Sequence, residues 1–286
     1  MTISGISVDP MDEPEALLAR GMTLPPQPEA LLALQALADS KDPDMREVAE
    51  VISRDAALTA GLYRMARSPL FARRTPPQTV EQVVLLMGLP RTLALAQALC
   101  LQASLPGEAQ VLARFWARSN AIAQLAMLVA QSLPGAHRIN GDQAYLAGMF
   151  LDCGVPILMQ RFPGYCQETG LAGQARKWAD VLTEDRLYAS DHAVVGFLLA
   201  RHWRLPDFVA QAVRFHHEGG RLPSRSIDTL VSILKLAMHL YASEMQLNEG
   251  VADLDESQVQ EGLDINATEF RDLVEHVLEQ YRGLEH

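Results

Sequence analysis

A single carboxylate, Asp152, sits inside the otherwise apolar run of residues 144–159. Burying a carboxylate without a partner is costly, so the chain must bring a counter-charge or a ligand to this position from elsewhere. Almost every segment of the remainder repeats its apolar residues with a helical period, and no strand-like alternation persists. The pattern predicts an all-α protein in which helices converge on Asp152.

Punctuation by Pro, Gly and capping residues divides the 286 residues into helices. They are predicted at 29–38, 44–52, 56–66, 79–87, 91–104, 108–132, 142–159 with a break at 154–156, 174–187, 190–203, 206–217, 224–245 and 266–281. Thr79 and Gln82 have the spacing of a capping box. The Pro-Gly pair at 106–107 marks the boundary between two helical halves, which are short-linked and so expected to pack together. The expected organisation is an N-terminal extension (1–22), a helical subdomain (23–105), a second helical subdomain (106–247) and an acidic C-terminal helical extension (248–283). Residues 284–286 read as the remnant of an affinity tag.

Charge constrains the partners. The net charge of −11 and pI near 5.2 argue against nonspecific nucleic-acid binding, which needs a broad basic face. The distribution is uneven: residues 54–118 carry eight arginines against three acids, and residues 242–286 carry twelve acids against two arginines. Both blocks can be plain solvated faces. Alternatively Arg64, Arg67, Arg73 and Arg74 form a surface for an acidic protein partner or for a phosphate-rich ligand such as a cyclic dinucleotide. No aromatic residue interleaves these arginines, which favours a protein over a nucleobase. The acidic C-terminal stretch is a candidate cover for the same patch. An acidic N-terminus, the absence of a long apolar span and three unpaired cysteines (Cys100, Cys153, Cys166) suggest a cytoplasmic protein that does not engage a membrane.

The remaining titratable residues with context are Asp191, His192, His216 and His217. One isolated acid and two His-bearing helices are the raw material of a metal or acid-base site. Each also has an ordinary reading: Asp191 as a helix-capping acid, His216 as a hydrogen-bonded core imidazole, His217 as a ring favoured by a helix C-terminus. Arg118 falls on the apolar face of its helix with Val111, Phe115, Ile122, Leu125 and Val129. It either snorkels to solvent or turns inward onto Asp152.

Residues 24–28, 51–60, 115–116, 148–154, 191–196, 203–206 and 212–217 together resemble the HDOD family, in the order that family shows. The resemblance implies an all-helical bacterial signalling protein, in which residues 106–247 form an HD-like bundle packed on a smaller helical half. In catalytic HD proteins, histidines and aspartates hold metal ions that activate water for phosphate-ester hydrolysis. Against that pattern this chain has Arg118, Leu151 and Met238 where ligands stand, and retains Asp152, His192 and the His216-His217 pair. The implied pocket is a remnant one made of Arg118, Asp152, Asp191, His192, His216 and His217, with no cofactor and no metal. The expected function is a non-catalytic signal-transduction module that binds a protein or senses a ligand. The alternatives are a metal-dependent phosphohydrolase or phosphodiesterase and a receptor for a nucleotide second messenger.

Overall fold

A computed structural model of the protein describes residues 21–68, 70–71, 76–105, 107–133, 139–172, 178–219, 222–247 and 254–284. Every regular element among them is a helix. The first half consists of α1 (Glu29–Ala38), α2 (Met45–Ser53), α3 (Ala56–Ala66), α4 (Val80–Met87) and α5 (Leu89–Ser104). The second contains α6 (Ala109–Ser132), α7 (Gly141–Phe150), α8 (Gly154–Arg161), the single turn α9 (Tyr165–Glu168), α10 (Val181–Tyr188), α11 (His192–His202), α12 (Asp207–Phe215) and α13 (Arg225–Glu244). Helices α14 (Glu256–Leu263) and α15 (Ala267–Leu284) close the chain.

Short polar side chains start most of these helices by accepting backbone N–H groups that the helix cannot satisfy itself. Asp44, Asp55, Asn140, Asp180, Asp191, Ser224 and Asp255 all do so. The expected capping box at Thr79 forms only in part: Thr79 Oγ1 accepts from Gln82 N, while the Gln82 side chain accepts from Gln78 N instead of Thr79 N. Between α4 and α5 the chain bends by 114° at Gly88.

Of the boundaries that differ from the sequence expectation, three bear on the polar residues. The break after α7 falls at residues 151–153, three residues before the expected site, because Gly154 and Pro156 fit the first turn of α8, where a missing N–H costs nothing. Helix α10 starts at Val181, where Asp180 accepts from Thr183 N, and not at 174; residues 173–177 lie outside those described. His216 and His217 follow α12 in a turn and are not part of the helix.

Two apolar cores fill the molecule. The first runs from Leu31 and Ile52 through Leu101 into Phe115, Phe150, Val195 and Trp203, so the two halves share it. The second surrounds the C-terminal part of α6 with α7, α13, α14 and α15. The expected acidic extension is thus a structural part of the second half: Val259, Phe270 and Val277 are buried there, and α15 lies on α6. Among the described residues of the arginine cluster, Arg64 and Arg67 are exposed and not covered by it; Glu244 and Arg282 pair with each other along its edge. Leu284 packs against this core as the last residue of α15, and residues 285–286 of the expected tag remnant lie outside those described. Among the described residues no single helix is long and apolar enough to cross a membrane.

The seam between the cores positions the polar residues. On α6, Phe115 belongs to the first core and Ile122 to the second, and Arg118 lies between them. In the α7–α8 turn, Phe150 and Cys153 face the first and Leu151 the second, with Asp152 between.

Candidate functional site: a buried Asp-His cluster

Close backbone approach assembles the cluster. A Cβ on Gly148 would stand 2.8 Å from Ala123 Cα, so only glycine lets α7 lie this near α6. A Cβ on Gly154 would stand 2.1 Å from the His192 carbonyl oxygen, so the start of α8 rests directly on the start of α11. These contacts bring Asp152 to both Arg118 and His192.

The two oxygens of Asp152 face different groups. Oδ2 accepts from Arg118 Nε at 3.1 Å and from Trp178 Nε1 at 2.9 Å. Oδ1 lies 3.6 Å from His192 Nε2 and 3.5 Å from His216 Nε2. The Arg118 guanidinium is held between the rings of Trp178 and Tyr241, with its central carbon 5.2 and 5.4 Å from their centroids. On the far side of His192, Glu184 Oε2 accepts from the His192 backbone N–H at 2.9 Å and from Nδ1 at 2.6 Å. Tyr165 donates its hydroxyl to the other Glu184 oxygen. His216 directs Nδ1 at the Val213 carbonyl, 2.7 Å away. His217 Nε2 closes the group at 3.0 Å from His192 Nε2. Asp152, His192, His216 and Glu184 are at most 3% exposed; His217 alone is exposed and forms the outer wall.

These contacts set the proton inventory. Burial of Asp152 favours the neutral acid, but Arg118 and the neighbouring imidazoles overcome it and hold the carboxyl well below its usual range. Burial likewise opposes a charged His192, yet the Glu184 carboxylate on Nδ1, aided by Asp152, raises it to about 9. His216 is pushed down by burial, with His192 adding to it. His217 is exposed as a whole residue, but its Nε2 edge abuts the packed site, and that desolvation plus His216 and His192 drive it well below the ordinary imidazole value. Burial and Glu184 keep the Tyr165 hydroxyl protonated. Two carboxylates therefore face one guanidinium and one imidazolium, and the cluster is charge-balanced by its own side chains.

Of the residues expected in the pocket, Arg118, Asp152, His192, His216 and His217 come together. Asp191 does not join them: its Oδ1 is spent on the N–H groups of Ala193 and Val194, which fixes His192 as the first residue of α11. Leu151 and Met238 are buried in the second core. Arg64 is exposed on α3 and Arg67 just after its end, and Arg73 and Arg74 lie outside the described residues. Sequence reasoning missed Trp178, Glu184, Tyr165 and Tyr241. The signal for Glu184 was chemical: an imidazole offering Nε2 to a site is usually oriented by a carboxylate on Nδ1.

HD-type sites imply a metal, and the donor set here fits one ion. Asp152, His192, His216 and His217 each present one ligand atom, all within 4.8 Å of one another. Tetrahedral ligands at bond lengths of about 2.0–2.1 Å are spaced at about 3.3 Å, against observed spacings of 3.0, 3.5 and 3.6 Å. His216 Nε2 is buried with no hydrogen-bond partner and faces another acceptor, Asp152 Oδ1, an arrangement that a cation between them would relieve. The sequence expectation of no metal rested on the residues at 118, 151 and 238; the four donors that remain lie close together. Four protein donors complete a tetrahedral shell, however, and a catalytic ion needs a position open to water.

Comparison with known proteins agrees with this architecture. The HDOD domain family profile matches residues 24–219. An HDOD domain protein of unknown function from Geobacter sulfurreducens superposes with a TM-score of 0.70 at 21% identity, over 96% of this chain and 97% of its own. A candidate phosphohydrolase from Shewanella amazonensis SB2B gives a TM-score of 0.67 at 20% identity, over 98% and 100%. At these identities the likeness speaks for the fold. An uncharacterized protein of Treponema pallidum (strain Nichols) is 22% identical over 199 residues, which span 68% of this chain and only 37% of that relative.

Proposed function

Because the chain belongs to the HDOD family, we propose that it is a non-catalytic signal-transduction module that works by binding, with the HD-type pocket retained as a structural polar cluster. The observation that carries this reading is the commitment of Asp152: Oδ2 is taken by Arg118 and Trp178, and Oδ1 is enclosed with His192 and His216 at no more than 3% exposure. A phosphoester must reach metal-bound water, and this cluster offers neither an open coordination position nor an exposed acid. When an ion is bound, Asp152, His192, His216 and His217 would hold it, and it would cross-link the α7–α8 turn to α11 and the end of α12. Without one, Arg118 and protonated His192 balance the charge.

The partner is an acidic protein, recognised in the cytoplasm by the arginine-bearing first half; exposed Arg64 and Arg67 in a chain of net charge −11 support this assignment. The test is hydrolysis of bis(p-nitrophenyl) phosphate by the full chain with manganese, iron(II) or zinc added. We expect no release above that of the Asp152→Ala variant. Metal-dependent turnover that disappears in Asp152→Ala would overturn the non-catalytic reading.

A further inference from the structure

A cleft of about 820 Å³ opens between the two halves, on residues that the Asp-His cluster does not use. Its walls come from α1, the α4–α5 bend and α5 on one side, and from the start of α7 and the α11–α12 turn on the other. Size and placement are those of a small-molecule site, which is typically a mostly apolar cavity at a domain junction with a few directed polar groups. The apolar lining includes Met87, Leu93, Leu146 and Phe208.

The polar groups specify a ligand. Gln35, 8% exposed, gives its Nε2 to the Trp203 carbonyl at 3.0 Å, while its Oε1 is buried with no partner. A buried acceptor left unmatched is costly, and a donor in the cleft would satisfy it. Asp39, one turn further along α1, adds a second acceptor at the rim. Two arginines also line the cleft, Arg91 on α5 and Arg204 in the α11–α12 turn. Arg91 pairs with Asp142 and lies over the Phe71 ring, 4.9 Å from its centroid, but its Nε is buried and unpartnered. Arg204 is exposed at the rim and makes no ion pair among the described residues. Acceptors on one wall and a free cation on the other select a molecule that carries both a donor and an acid.

We propose that this cleft binds a small apolar acid, an aromatic or aliphatic body bearing one anionic group for Arg204 and Arg91 and one N–H or O–H donor for Gln35 and Asp39. Such a ligand bridges α1 and α5 to α7 and α12, so its binding joins the two halves. The inference goes beyond the signalling reading and stands whether or not the Asp-His cluster hydrolyses anything.

The probe is 8-anilinonaphthalene-1-sulfonate, which combines an apolar body, one N–H and one anion; N-phenyl-1-naphthylamine is its uncharged counterpart. Fluorescence and calorimetric titration of the full chain should give one saturable site. Arg204→Glu should weaken the sulfonate about tenfold and leave the uncharged probe unchanged. Leu93→Trp, which fills the cleft, should abolish both. Arg186→Glu, a charge reversal at an exposed position of α10 away from the cleft, should change neither. Thermal melts establish that each variant is folded. Absence of a saturable site, sulfonate affinity unchanged by Arg204→Glu and Leu93→Trp, or an equal loss on Arg186→Glu would each overturn the proposal. Hydrolysis assays on the same samples report separately on the Asp-His cluster.

Discussion

The indole N–H of Trp178 and the guanidinium Nε of Arg118 meet on one oxygen, Asp152 Oδ2, at 2.9 and 3.1 Å. Asp152 and Arg118 are 3% and 5% exposed, so each is the other's compensation in a region closed to water. Removing either charge takes the principal counter-charge from a buried partner, and we expect Arg118→Ala or Asp152→Ala to cost about 3–5 kcal/mol. The double variant should cost less than the sum of the two. Urea unfolding of the four proteins in a double-mutant cycle measures the coupling; strictly additive, sub-kcal/mol effects would refute a buried pair.

Trp178 makes a smaller and separable contribution. Trp178→Phe keeps a ring beneath Arg118 but removes a donor to a charged oxygen, a loss of about 1.5–3 kcal/mol. Unfolding midpoints within error of the parent would mean that Asp152 does not depend on the indole.

Much of the architecture was legible because its signals are local. Capping residues, the 3.6-residue period and the isolated acid at 152 placed the helices and singled out Asp152, and the apolar face of α6 singled out Arg118. The partners that complete the cluster were not legible, since they depend on how elements cross. Glu184 sits in a short polar helix beside Asp185 and near Asp180, and nothing in the sequence tells which of the three acids turns inward. Structurally, Asp180 caps the helix, Asp185 is exposed and only Glu184 is buried. Trp178 falls within the helix expected at 174–187 but precedes the observed start at Val181, and its contact with Asp152 across 26 residues had no local signature.

His192 makes stability pH-dependent. Its folded value of about 9 lies above the ordinary 6.5, so the folded state binds this proton more tightly than the unfolded chain. That contribution is fully present below about pH 6.5, declines as pH rises and is lost above about pH 9. Glu184→Gln removes the charge responsible and should flatten the decline. Urea unfolding between pH 6 and 9.5, with chelator present so that no ion competes for Nε2, tests this directly. A parent protein whose stability is level across that range would show that His192 is neutral.

The α8–α11 contact tolerates no side chain at position 154. A Cβ there meets backbone atoms, the His192 carbonyl oxygen at 2.1 Å and Gly196 N at 2.7 Å, and neither can rotate away. Gly154→Ala should therefore cost at least about 1–3 kcal/mol. It should also weaken the Asp152–His192 approach, which histidine NMR titration would register as a lower His192 pKa. An unchanged His192 titration in a folded Gly154→Ala protein would show that α8 does not set the position of α11.

The C-terminal helices carry many acids yet behave as core. Phe270 and Val277, 5% and 0% exposed, pack in the second core with α6 and α13, and Arg282 holds α15 to Glu244 through two hydrogen bonds of 3.0 and 2.6 Å. The ion pair is exposed on the arginine side and worth little. Phe270→Ala, by contrast, leaves a cavity and should cost about 3–5 kcal/mol, whereas Arg282→Ala should leave stability close to that of the parent. Guanidinium unfolding followed by tryptophan fluorescence compares them. If the two variants melt alike, α15 is a surface appendage held by charge and the second core ends at α13.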